Sequence, residues 1–270
     1  MWRKTESELY HNVIQKTYPD GTARLLISDR RAFREPGFEP CVPDEARCPR
    51  AESERKPEDK ERAMRRARAA VYDLARSNDF RYFVTLTLNR EVIDRYDISE
   101  VMRRLKDWLG NAVQRKGLLY VLVPELHKDG AIHFHGLIND VLPMSDSGTI
   151  RCPGDKKPRR PRSKKQRSEW LENGGQVVYN LSTYSLGFSS AIELYGDYRA
   201  AIGYVCKYIG KGKDMVKIGG RWYYSGGQLR RPSRSYYDVD LDLLSDLVDG
   251  EHSFTIPRMG IKCWSIETEV

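Results

Sequence analysis

Residues 125–135, Glu-Leu-His-Lys-Asp-Gly-Ala-Ile-His-Phe-His, constrain this chain more than any other stretch. The apolar run 118–124, Leu-Leu-Tyr-Val-Leu-Val-Pro, precedes them, and Gly136, Leu137 and Ile138 follow. Both flanks have strand length, and Lys128-Asp129-Gly130 between them is a turn signal, so the stretch reads as a β-hairpin. A three-residue loop ends in a left-handed residue, which costs glycine nothing. That register sets Glu125 opposite His133 and His127 opposite Ala131. Side chains alternate along a strand, so His133 and His135 share a face about 6.6 Å apart while Phe134 enters the core. With Glu125 reaching in from across the ladder, two imidazoles and a carboxylate can hold a catalytic divalent ion with positions to spare. Two other readings stay open. A two-residue loop on Asp129-Gly130 would turn Glu125 to the Phe134 face, and two histidines on a half-exposed strand can simply be solvated.

Where the charge lies says more than its total. The net charge is +8, and residues 156–167, Lys-Lys-Pro-Arg-Arg-Pro-Arg-Ser-Lys-Lys-Gln-Arg, carry eight basic groups and no acid. The remainder is therefore formally neutral. Such a run is expected to be a solvated, disordered loop whose use is attraction of phosphates, because neutralising them releases condensed counterions. No apolar run approaches the length of a membrane span. The opening residues lack an apolar stretch behind their charges, so no secretory signal is expected. Five cysteines, an odd number without a CxxC pair, favour a reducing compartment. Cys41 and Cys48 could join a zinc site, but no second pair matches them.

Along the chain, residues 1–56 look like an accessory extension, with a strand at 22–28 and a Pro-, Glu- and Arg-rich linker at 34–55. A helix is predicted from Pro57 to Arg76, its arginines either touching DNA or forming a solvated face. Tyr82 to Asn89 alternates as a strand, with Val84, Leu86 and Leu88 on one face and Thr85 and Thr87 on the other. Asp97-Ile-Ser-Glu100 opens a capped helix ending near Gly117. Strands are expected at 176–181, at 191–194 and within 254–264, and helices from Asp197 to Tyr208 or Ile209 and over 240–248. The order strand, helix, strand, strand predicts an α+β fold: a ferredoxin- or RRM-like split βαβ, its central antiparallel sheet carrying the histidine hairpin, with helices on one face. Residues 57–270 would then be one domain, with a basic insertion at 145–175.

A second constellation lies on the helix after Asp197. Tyr204 and Tyr208 are i and i+4, so both hydroxyls lie on one face, flanked by Lys207 and Lys211. Tyrosines at this spacing often serve packing alone. Alongside the hairpin they suggest chemistry: a phenol attacks phosphorus if a metal polarises the phosphate and a cation stabilises the developing charge.

Three segments in order, Phe83-Val-Thr-Leu-Thr-Leu-Asn89, Glu125 to His135, and Tyr204-Val-Cys-Lys-Tyr-Ile-Gly-Lys211, resemble the motifs of the HUH endonucleases. Within them the chain is similar to rolling-circle replication initiators of phages, plasmids and single-strand viruses, over about residues 80–212. The resemblance implies Mg²⁺ or Mn²⁺ on His133, His135 and Glu125, with His127 a further ligand or a neighbour of the ligands. It makes Tyr204 the nucleophile, Lys207 its cation and Tyr208 a possible second nucleophile. It implies nicking of single-stranded DNA or an origin hairpin through a 5′-phosphotyrosine. Thr85, Thr87, Lys211 and the basic residues Lys156, Lys157, Arg159, Arg160, Arg162, Lys164, Lys165 and Arg167 would face the DNA. No P-loop is present for a fused helicase, so a host helicase and polymerase are the implied partners, in the cytoplasm of a host cell, bacterial for preference. A transposase or relaxase would use the same chemistry, and a regulator could bind without cutting. A cupin-like oxidoreductase would need a further histidine, and only His252 remains, in no matching pattern.

Overall fold

The computed structural model describes residues 3–4, 10–33, 57–127, 129–194, 198–209, 217–240, 242, 253–256 and 261–269. The reading of 34–55, with Cys41 and Cys48, lies outside them, as do Asp197, Lys211 and nearly all of the 240–248 segment. The class is α+β, and the chain divides into two units, Lys56–Arg230 and Met1–Arg55 with Arg231–Val270.

The first unit is a seven-stranded antiparallel sheet. Its strands are β4 (Tyr82–Leu88), β5 (Tyr120–Leu126), β6 (Ile132–Ile138), β7 (Met144–Arg151), β8 (Gln176–Leu181), β9 (Gly187–Glu193) and β10 (Tyr224–Gly226), in the order β10-β5-β6-β4-β9-β8-β7. The hairpin forms in the three-residue register. Glu125 faces His133, the His127 N–H bonds the Ala131 carbonyl at 2.8 Å, and Gly130 takes φ +85°. Gly136 is required for another reason, since a Cβ there would collide with the Val121 carbonyl oxygen.

Helix α2 (Ile98–Lys116) starts where Asp97 accepts from the N–H groups of Ser99 and Glu100, and stops at Gly117 in the left-handed conformation. Its Val101, Leu105 and Leu109 pack with Val84, Leu86, Leu122 and Phe134. Helices α1 (Pro57–Ser77) and α4 (Tyr198–Lys207) cover the opposite face. There Val71, Leu74, Ile202 and Val205 pack with Val121, Val123 and Leu137. Helices therefore lie on both faces of the sheet, not one. The alternation of β5 supplies the reason: Leu122 points one way and Val121 and Val123 the other, so both faces are apolar and both need cover.

The basic segment is not the expected loose loop. Ile150 of β7 bridges to Arg159, and residues 164–172 form α3 (Lys164–Glu172), with the Ser163 hydroxyl accepting from the Gln166 N–H. Arg167 pairs with Asp146 at 2.6 Å, Arg159 pairs with Asp155 at 2.9 Å, and the Arg159 guanidinium lies over the Trp170 ring. Acids and an aromatic outside the cationic run itself hold it in place.

The second unit is a six-stranded sheet in the order β1-β11-β2-β3-β13-β12. Its members are β1 (Arg3–Lys4), β2 (Tyr10–Thr17), β3 (Thr22–Phe33), β11 (Ser233–Asp238), β12 (Ser253–Ile256) and β13 (Ile261–Glu269). The region read as one closing strand is a pair, β12 and β13. Strands β11 and β13, grouped by sequence with residues 57–270, pair with β2 and β3. A small core of Val13, Leu25, Ile27, Val239 and Trp264 is buried.

Candidate functional site

On the α1/α4 face, three strands set their polar side chains in rows. Thr87, His133 and Glu125 lie in register across β4, β6 and β5, and Thr85, His135 and Val123 form the next row. The Thr85 hydroxyl is 3.1 Å from His135 Nδ1, and that of Thr87 is 3.4 Å from His133 Nδ1. Glu125 reaches diagonally, placing Oε2 2.8 Å from His135 Nε2. Each imidazole is thus fixed at Nδ1 by a hydroxyl, which sets ring orientation and leaves Nε2 directed at the carboxylate side. The two threonines, expected to face DNA, spend their hydroxyls on the histidines.

Electrostatics favour neutral imidazole at His133. Burial draws its pKa below the ordinary histidine value, and the neighbouring His127 pushes the same way, against the opposing pull of Glu125 and Asp129. His127 is exposed, its ring stacks on His133 at 5.2 Å, and its Nδ1 is 3.1 Å from Asp129 Oδ1. A neutral histidine keeps the lone pair a metal needs. Among the described residues no three His, Cys, Asp or Glu side chains already surround one point. His135 Nε2 faces the Glu125 carboxylate, so an ion would take over that nitrogen as Glu125 turns from accepting a hydrogen bond to ligation. The donor set, two hydroxyl-backed imidazoles with a carboxylate in reach, fits a divalent ion in chemistry.

The tyrosines arrive from α4 and the turn after it. Tyr208 is buried, its ring flat on His135 with centroids 3.9 Å apart and planes at 16°. Its hydroxyl donates to that of Tyr204 at 2.7 Å. Tyr204 is 41% exposed, with Phe83 edge-on at 5.4 Å. The two phenols therefore differ. Burial pushes the Tyr208 pKa well up, and its hydrogen bond to Tyr204 and the charge of Glu125 add to this, while Arg151 opposes. Tyr204 is open to solvent, so its oxygen is the one an arriving phosphate reaches first.

Two arginines with no signal in the sequence pattern complete the site. Arg68 of α1 donates to the Ile209 carbonyl from Nε at 3.3 Å and Nη2 at 2.9 Å, closing the turn after α4 and fixing Tyr208. Arg151, at the end of β7, borders Tyr204 and acts on Tyr208. Lys207 is exposed at the end of α4. Within the basic segment, Arg159 and Arg167 form ion pairs and Arg160 donates to the Ser147 carbonyl at 3.3 Å. Lys156, Lys157, Arg162, Lys164 and Lys165 are exposed. Ser163-Lys-Lys-Gln166 is a readable helix start that the surrounding charge obscured. The Gln166 side chain returns a bond to the Arg162 N–H at 2.7 Å.

Among the described residues no helix is long and apolar enough to cross a membrane. No curated protein and no solved structure matches the chain. A family model does match residues 81–213, the segment running from β4 through α4 that carries the threonines, Glu125, the histidines and both tyrosines. Over those residues the chain is a member of the ORF2 family of replication-associated proteins.

Proposed function

We propose that this protein initiates rolling-circle replication by nicking single-stranded origin DNA, holding the cut strand as a 5′-phosphotyrosine and later rejoining it. The observation that carries this reading is the contact between the two constellations, with the Tyr208 ring 3.9 Å from the His135 ring and its hydroxyl 2.7 Å from that of Tyr204. A phenol oxygen beside an imidazole pair is where a phosphodiester could meet both.

In the step proposed, the Tyr204 oxygen bonds to phosphorus as its proton departs, and the P–O3′ bond breaks to release a 3′-hydroxyl. Mg²⁺ or Mn²⁺ on His133, His135 and Glu125 would supply polarisation of the phosphate and neutralisation of its charge. Thr85 and Thr87 hold the two rings, and Arg68 holds the end of α4. The bond energy is retained in the phosphotyrosine, so a returning 3′-hydroxyl can reverse the step and join strands. Tyr208, hydrogen-bonded to Tyr204, is placed to make a second attack once the first phenol is occupied. The exposed cations of the 156–165 segment would draw the strand in, while a host helicase and polymerase would open and copy the duplex.

Incubation with labelled single-stranded origin DNA and Mn²⁺, then a denaturing gel, tests this. A DNA–protein adduct in wild type that is absent from Tyr204→Phe is expected. An adduct of equal yield in both would overturn the assignment.

A further inference from the structure

A cavity of about 240 Å³ opens beside Tyr204, with Phe83 and Ile192 on its apolar side and Arg151, Gln176 and Glu193 on its polar side. Its walls come from four neighbouring strands, β4, β7, β8 and β9. It continues the reaction face, because Phe83 meets Tyr204 edge-on and lies nearly parallel to His135, with centroids 6.2 Å apart. The step described above uses none of its polar groups. The volume falls below the roughly 300–1,000 Å³ of pockets that take drug-sized ligands, and suits a single flat ring. An aromatic wall is a stacking surface that any base can use.

The polar edge is selective. The Gln176 amide nitrogen donates to the Glu193 carbonyl at 3.2 Å, leaving its side-chain oxygen as acceptor. Glu193, nine-tenths buried, is ion-paired with Arg81 and adds a carboxylate, which only accepts. Two acceptors side by side favour a base that carries an amino group, and thymine has none. Arg151 contributes a forked cation suited to phosphate oxygens.

We propose that this cavity binds the base of the nucleotide adjoining the phosphate that Tyr204 attacks, preferring adenine, cytosine or guanine over thymine, with Arg151 holding a phosphate oxygen of that nucleotide. The proposal rests on Tyr204 being the nucleophile, and its test separates the two. Wild-type protein, Gln176→Leu and Arg151→Ala are incubated with randomised single-stranded DNA and Mn²⁺, and both the covalently attached and the non-covalently retained strands are sequenced. In wild type, thymine should be depleted at one position next to the attachment point. Gln176→Leu should erase that depletion while other positions keep their preferences, and Arg151→Ala should lower attachment about tenfold or more, with Arg151→Lys restoring only part. Attachment without such a bias, or a bias unchanged by Gln176→Leu, overturns the cavity assignment and leaves the nucleophile standing. If no strand becomes attached, the retained strands decide. A thymine-poor position lost in Gln176→Leu supports the cavity although the nucleophile reading has failed, and identical selections from the two proteins overturn it.

Discussion

The two faces of β4, β5 and β6 are built from the same strands yet follow different rules. Toward α2 they present Val84, Leu86, Leu122, Ile132 and Phe134, all buried and all apolar. Toward α1 and α4 they present Thr85, Thr87, Glu125, His133 and His135 beside Val121, Val123 and Leu137. One face is filled for cohesion, and the other spends burial on orienting polar groups. Because the period is two, a slip of one residue would exchange the faces and place the imidazoles in the apolar core. The dry face therefore fixes the register that the chemical face depends on.

Substitutions that touch one face alone give the sharpest comparison. Tyr204→Phe should abolish the covalent adduct on a denaturing gel and leave stability within about 0.5 kcal/mol, since it is exposed. Phe134→Ala, at a fully buried site, should cost about 3–5 kcal/mol in urea titration. Its remaining folded fraction should still form adduct, and a loss of adduct as complete as in Tyr204→Phe would break the division of labour. Thr85→Val should weaken Mn²⁺ binding by roughly 10–100-fold in a calorimetric titration, while Thr85→Ser retains it. Unchanged affinity in Thr85→Val would mean that the hydroxyl near His135 does not orient the ring. The smallest effect should fall in the basic segment. Replacing Lys156 and Lys157 by alanine should lower the slope of log binding against log salt by about 0.7 per charge. Arg167→Ala should instead cost up to about 1 kcal/mol of stability, because its charge is committed to Asp146.

The hairpin was legible because its determinants are local: an apolar run on each side, a turn with Gly130, and alternation that assigns every residue a face. Tyr204 and Tyr208 were legible for the same reason, helical spacing over one turn. What the sequence hid depends on partners distant along the chain. Arg68 stands 141 residues from the carbonyl it bonds, and no pattern within α1 distinguishes it from the other arginines there. The basic run looked disordered on composition, yet Asp146, 21 residues before Arg167, together with Trp170, fixes it. Thr85 and Thr87 read as an exposed face because their partners belong to a different strand. Arg151 has no local mark at all, and only the strand order brings it beside the tyrosines.

The six-stranded sheet joins segments far apart in the chain: Arg24 of β3 bonds Ser265 of β13 across 241 residues. On a ribosome the β2–β3 ribbon emerges early, yet one of its lateral neighbours follows only after the whole seven-stranded unit. Until then an open edge waits, while every residue of the catalytic unit has already been made. Maturation of this sheet is thereby tied to synthesis running past the chemistry, and a product truncated before β13 would keep all its proposed catalytic groups and carry an unprotected, self-associating border.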